Sequence, residues 1–285
     1  MDAKKIIWLA SYPKSGNTWF RAFLTALLNP GSPDVDINNM HPTTIASSRQ
    51  LFDELTGVSS ADLTPFEIER LRPQVYRQNA LESDEMIYHK IHDAWTLLPV
   101  GEPLIPADVT RAVVYIIRNP LDVAVSFSYH LNTSVDRTIA IMNDPAYAFC
   151  DRWDRLHNQL MQRLLTWSGH VKSWVDDSGL PVLVLRYEDM SSCPDETFSK
   201  AVSFIGLNRT PGEIRSALDY CTFERLKKQE EEKGFSEKSA KAGSFFRKGV
   251  VGDWQNILTR EQADRITEAH REVMVRFGYE AGTRD

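Results

Sequence analysis

The stretch WLASYPKSGNTWFRAFL, Trp8 to Leu24, changes character twice within seventeen residues. Ile6–Ala10 is a short, almost wholly apolar run, the signature of a strand buried on both faces. A polar turn with Pro13 and Gly16 follows. Beyond Asn17, the apolar residues Phe20, Phe23, Leu24, Leu27 and Leu28 fall at helical spacing, and Asn29-Pro30-Gly31 ends the pattern. A strand, a tight turn and a helix form a ready anion site, because free amides and the helix dipole converge on the turn. The Walker pattern GxxxxGK[ST] is not matched: Lys14 stands before Gly16 rather than after it.

Outward from this unit, strand-like runs alternate with helical patterns. Further strands are expected at Met86–His89, Ala112–Ile117 and Val182–Tyr187. Thr64-Pro65-Phe66-Glu67 and Thr210-Pro211-Gly212-Glu213 are capping boxes with Pro at the first helical position, and Asn119-Pro120 starts a helix by the same logic. Arg152–Trp167 also has a helical pattern, with Trp153, Leu156, Leu160 and Leu164 on one face. The alternation predicts an α/β fold with a central, mainly parallel sheet flanked by helices. With no repeat or low-complexity linker, residues 1–285 read as a single domain.

Composition narrows the function classes. The 42% hydrophobic and 25% charged content is that of a soluble globular chain, and a net charge of −6 argues against nucleic-acid binding or stable membrane association. Cys150, Cys193 and Cys221 are far apart and read as reduced thiols, with no cluster suggesting zinc. The opening MDAKKIIWLAS has an apolar run too short for a signal peptide or a membrane span. A cytoplasmic location is expected, and the sequence leaves the oligomeric state open.

In a parallel α/β sheet, ligands bind beyond the carboxyl ends of the strands. After the first strand, Gly16 permits close backbone approach, Ser15 and Thr18 add hydroxyls, and Lys14 adds a charge. An ordinary capping turn is the plainer alternative. After the third run comes RNPLDVAVS, with Arg118 at the strand end and Ser126 two turns into a helix. Arg118 suits a phosphate or a surface pair with Asp122. After Met86–His89, Lys90 and His92 lie two apart, so an extended chain puts them on one face: a cation beside a base that titrates near neutrality. His89 and His130 are rivals for that role. Near the C-terminus, SFFRKGVVGDW joins Arg247, Lys248 and Gly249, a second phosphate-type cluster. The polar stretch Lys227–Gly243 before it suits a solvated helix, a disordered loop or a mobile lid.

Four ordered motifs, YPKSGNTW, KIH, RNPLDVAVSFSYH and FFRKGVVGDW, make the chain resemble the cytosolic-type sulfotransferases. These use 3′-phosphoadenosine 5′-phosphosulfate (PAPS) as sulfuryl donor. The resemblance runs from about Ile6 to Trp254, and VLVLRYEDM and WSGHVKSW look like family segments too. It implies that Lys14, Ser15, Gly16, Asn17, Thr18 and Trp19 surround the 5′-phosphosulfate, with Trp19 also near the adenine. It implies that Arg118 and Ser126 hold the 3′-phosphate, with Arg247, Lys248 and Gly249 closing over it. Tyr187 and Phe223 match the adenine contacts, His92 the catalytic base, and Lys90 a contact to the transferring group. No metal is implied. Cys221 and Asn17 stand where many animal members carry Thr, and the family's short dimerisation motif is not found.

The mechanism expected is in-line sulfuryl transfer to a hydroxyl, or less readily an amine, of a small-molecule acceptor. His92 removes the acceptor proton and Lys14 stabilises the bridging oxygen. A P-loop kinase and a non-catalytic nucleotide-binding protein are the rivals. The acceptor end is expected among Asn29–Gly57, Tyr129–Cys150 and Lys227–Gly243, with Met40, His41, Phe127, Tyr129, His130 and Tyr147 as candidates.

Overall fold

The computed structural model describes residues 4–31, 34–152, 156–238 and 243–279. Five parallel strands form the central sheet: β1 (Ile6–Ser11), β2 (Thr43–Ile45), β3 (Ile87–Ile91), β4 (Thr110–Ile117) and, later in the chain, Val182–Arg186. A separate antiparallel pair, β5 (Ala148–Phe149) and β6 (Gln162–Arg163), makes Val182–Arg186 strand β7. The sheet order is β2-β3-β1-β4-β7, so β1 lies at the centre between β3 and β4. Ile7 faces Tyr88 on one side and Ala112 on the other.

The unbroken apolar run of β1 has a direct cause. Successive side chains point to opposite faces of a strand, and both faces are covered. Ile6, Trp8 and Ala10 enter one core with Val113, Tyr115 and Ile117. Ile7 and Leu9 enter the other with Val114 and Ile116. Among the described residues eleven helices surround the sheet. They are α1 (Asn17–Leu28), α2 (Arg49–Thr56), α3 (Pro65–Glu82), α4 (Pro120–Leu131), α5 (Val135–Met142), α6 (Trp167–Lys172), α7 (Tyr187–Ser192), α8 (Pro194–Phe204), α9 (Pro211–Tyr220), α10 (Phe223–Lys233) and α11 (Arg260–Arg276). The capping boxes at Thr64 and Thr210 form with both reciprocal hydrogen bonds. Phe198 of α8 locks α1 in place, with ring centroids 4.5 Å from Phe23 and 5.7 Å from Phe20. Truncating Phe198 to Ala would cost about 3–5 kcal/mol. Among the described residues no helix is long and apolar enough to cross a membrane.

The structure corrects several sequence expectations. The second strand runs Ile87–Ile91, so Lys90 lies inside it and only His92 follows it. The last sheet strand stops at Arg186, and Tyr187 opens α7. β2, three residues long, carries too little pattern to be read. The expected helix over Arg152–Trp167 does not form in the described part, residues 156–166; Trp153 lies outside the described residues. Leu160 and Leu164 are buried as their spacing suggests, but in different cores, while Leu156 is exposed. The backbone bonds outward instead: Leu160 N to Ser47 O, Leu164 N to Tyr147 O, and Ala94 N to Arg163 O. Those tertiary bonds, with Leu165 at φ 57°, replace the helical ladder. In Lys227–Gly243, the first residues belong to the helix α10, with Lys227–Glu231 and Lys228–Glu232 pairs on its solvent face. Residues 239–242 of the expected lid lie outside the described residues.

Candidate active site

A cavity of about 540 Å³ opens at the carboxyl edge of the sheet. The turn after β1 forms its floor. Lys14 and Gly16 both take positive φ, 67° and 109°, which bends the chain back onto the start of α1. Gly16 has no room for a side chain, since a Cβ there would sit 2.7 Å from the Tyr187 ring. Asn17 faces backward: its Nδ2 donates to Leu9 O at 2.8 Å and Ser11 Oγ at 3.2 Å, tying the helix start to β1. Lys14 Nζ lies 3.5 Å from the Phe245 ring centroid. Burial lowers the Lys14 ammonium pKa to about 7, and the nearby charges of Arg118 and Lys90 push the same way.

His92 sits one residue beyond β3. Its Nδ1 is 2.8 Å from Ser11 O. A carbonyl oxygen only accepts, so Nδ1 carries the hydrogen and Nε2 keeps its lone pair. Burial, then Lys90, hold the imidazole well below its usual pKa, so it is neutral near pH 7. Its own carbonyl accepts from His170 Nε2 at 3.0 Å, and His170 Nδ1 in turn meets Tyr115 Oη at 2.7 Å. Asp93, next in sequence, is gripped by Arg72 through two 2.8 Å bonds, both residues being buried. The peptide around His92 is thus fixed from three sides. The rival His89 is different: fully buried, it lies between Thr44 Oγ1 at 2.7 Å and Asn79 Nδ2 at 3.0 Å, away from the cavity. His130 does line the cavity, and burial pushes its imidazole down to about 3.

Arg118 lies just past β4. It donates to Lys14 O at 3.2 Å and Val250 O at 3.1 Å, and its guanidinium stacks 4.2 Å from the Tyr187 ring. Its buried Nε has no partner. The suggested pair with Asp122 is absent; that carboxylate accepts from Gly252 N and Trp254 N instead. Arg247 and Lys248 both pair with Asp253, the Lys248 contact being 2.8 Å. Gly249 packs on Phe223, where a Cβ would come within 2.5 Å of the ring.

Of the expected site residues, Lys14, Gly16, Asn17, Thr18, Trp19, Lys90, His92, Arg118, Ser126, Tyr187, Phe223, Arg247, Lys248 and Gly249 line this one cavity. Ser15 does not; its hydroxyl is buried without a partner. Cys221 is fully buried and also stands off the cavity. Of the acceptor-end candidates only His130 lines it; Met40 and Phe127 are core residues.

Two carboxylates escaped the sequence reading. Glu237 bonds Lys90 at 2.6 Å and Arg21 at 2.5 Å. Burial pushes its carboxyl up, but the two cations outweigh that and hold it well below the usual range. Glu230 accepts from the backbone N–H groups of Phe245 at 2.7 Å and Phe246 at 2.8 Å, fixing the loop that carries Arg247. Both stand in a run of like-looking charges, and only tertiary contact separates them from solvated neighbours.

A model of the sulfotransferase domain family matches residues 4–278 of the chain. The chain belongs to the sulfotransferase domain family. It is an enzyme of that class. The sulfotransferase is 27% identical over 274 residues to flavonol 4′-sulfotransferase of Flaveria chlorifolia, covering 91% of this chain and 76% of that one. It is 25% identical over 279 residues to cytosolic sulfotransferase 13 of Arabidopsis thaliana, covering 94% and 76%. Its fold superposes on a mouse sulfotransferase complexed with PAP, with a TM-score of 0.60 at 22% identity over 95% of this chain and 84% of that one.

Proposed function

We propose that this sulfotransferase moves a sulfuryl group from PAPS to a hydroxyl of a small-molecule acceptor, in line, with His92 as general base. The observation that carries the reading is the tautomer of His92: Nδ1 is committed to Ser11 O, so the basic nitrogen is Nε2, beside Lys90 in the cavity. A neutral imidazole held rigidly can take a proton without first losing one. The PAP bound by the mouse relative supports a nucleotide donor.

The residues present fit such a donor. Gly16 and Gly249 leave space against aromatic rings that a Cβ would fill, and Arg118 Nε is a buried donor without a partner. The turn amides and Lys14 would hold the 5′ end. Arg118, Ser126, Arg247 and Lys248 would hold the 3′-phosphate, and Tyr187, Trp19 and Phe223 the adenine. The donor supplies an activated sulfuryl group with a phosphate leaving group. Lys14 then stabilises charge on the bridging oxygen, and Lys90 the sulfuryl oxygens, from positions fixed beforehand. Lys90 must first exchange its contact with Glu237. The compartment we infer is the cytoplasm, as the Arabidopsis relative's name states for that protein.

Assayed with labelled PAPS and a panel of hydroxyl acceptors, His92→Ala should lose about 10²–10⁴-fold in turnover while binding PAP as the native enzyme does. Native turnover in that variant would refute the assignment.

A further inference from the structure

The acceptor end of the cavity contains a pair of amides that nothing in the transfer chemistry uses. Gln159 and Gln162 both line it, and Gln162 is only 3% exposed. Gln162 Nε2 donates to Gln159 Oε1 at 3.0 Å, and Ser47 Oγ donates to the same oxygen at 2.9 Å. Among the described residues, Gln159 Nε2 and Gln162 Oε1 have no partner. Turning both amides over exchanges their roles but leaves the same remainder, one amide donor and one amide acceptor. Backbone bonds tie the segments that carry the pair to the chain on either side of the proposed base. Ser47 follows Ala46, whose N–H bonds Lys90 O at 2.9 Å. Arg163, next to Gln162, gives its carbonyl to Ala94 N at 2.8 Å, two residues from His92. The lining also carries apolar Leu131, Phe149 and Phe245, with Phe149 the cross-strand partner of Gln162.

We infer that the acceptor of this sulfotransferase carries a second hydroxyl near the one that is sulfated, on an apolar scaffold. One hydroxyl meets His92 and is sulfated. Its neighbour docks on the amide pair, giving its hydrogen to the free amide oxygen and accepting from the free amide N–H. A hydroxyl both donates and accepts and so satisfies the two groups, whereas a mono-hydroxy acceptor brings no partner to either. Leu131, Phe149 and Phe245 take the rest of the molecule.

This inference rests on the donor reading above, and the test separates the two. The enzyme is first titrated with PAP, which reads the donor site alone. Acceptors are then titrated into the PAP complex in matched pairs, catechol against phenol and octyl glucoside against octanol. The diol of at least one pair should bind about 10- to 100-fold tighter. A preference in the first pair marks a flat aromatic diol, and in the second a sugar. Gln162→Leu should bring the ratio close to one, and Gln159→Met should do the same if the first variant fails to take up PAP. Equal affinities within both pairs, no acceptor binding at all, or a ratio that survives both substitutions would each overturn the inference. PAP binding that persists in those cases leaves the donor reading standing.

Discussion

The two walls of the cavity are built in opposite ways. One wall, carrying Lys14, His92 and Arg118, is the edge of the parallel sheet, where each group stands within three residues of a strand end. Its geometry is set by strand register and short backbone contacts. The other wall, from Phe223 to Trp254, holds its shape through carboxylates: Glu237 reaches far along the chain to Lys90 and Arg21, Glu230 holds the Phe245–Phe246 backbone, and Asp253 pairs locally with Arg247 and Lys248. The sheet edge is held by backbone bonds that an anion does not compete for. The second wall is assembled from ion pairs that anionic phosphates compete for. On the proposed reading, a donor would meet half of its site ready and would rearrange the other half.

The comparison can be broken at several points. Arg72→Ala strikes the rigid wall hardest, because it leaves Asp93 buried and unpaired beside His92; a loss of about 3–5 kcal/mol in unfolding free energy is expected, read by denaturant titration. A loss below 1 kcal/mol on the scale of exposed pairs would show that the His92 peptide is not held from this side. Arg118→Ala touches both walls, through Lys14 O and Val250 O. It should weaken PAP binding by about 1.5–3 kcal/mol, the worth of charged hydrogen bonds, and unchanged calorimetric affinity would sink its phosphate role. Glu237→Gln tests the second wall alone. Amides of residues 234–238 should exchange several-fold faster in the variant, whereas those of β1 and β3 should not change; uniform protection would deny the latch. The smallest effect concerns Lys14. With its pKa near 7 in the free protein, it is protonated below that pH and progressively neutral above it. An anionic ligand raises that pKa, so binding takes up a proton and affinity falls as pH rises. Between pH 7.5 and 8.5, PAP affinity should drop by up to about tenfold, and Lys14→Met should flatten that slope.

The same contrast explains what the sequence made legible. The rigid wall was readable because strand, turn and helix are local: the apolar run of β1, Gly16 and the spacing after Asn17 each act within a few residues. The Lys90–His92 pairing survived an error in the strand boundary, since period-two alternation holds on either side of it. The second wall was opaque. Nothing in EEEKGFSEK distinguishes Glu230 and Glu237 from their solvated neighbours, because their partners lie up to 216 residues away. The segment 156–166 misled for a related reason. Leu160 and Leu164 are buried at a helical interval, yet each is claimed by a different cluster, and periodicity records burial without recording where the burial occurs.

All five strands of the sheet run the same way. Every catalytic candidate therefore gathers at one rim, which leaves the opposite rim idle in the proposed chemistry. Gly179, which precedes β7 on that idle rim, is exposed at φ 62°, and a Cβ there would touch nothing within 4 Å. Such a corner is where a foreign loop, a tag or a new pair of termini can be grafted, so the molecule has an engineering handle at the far pole from its chemistry.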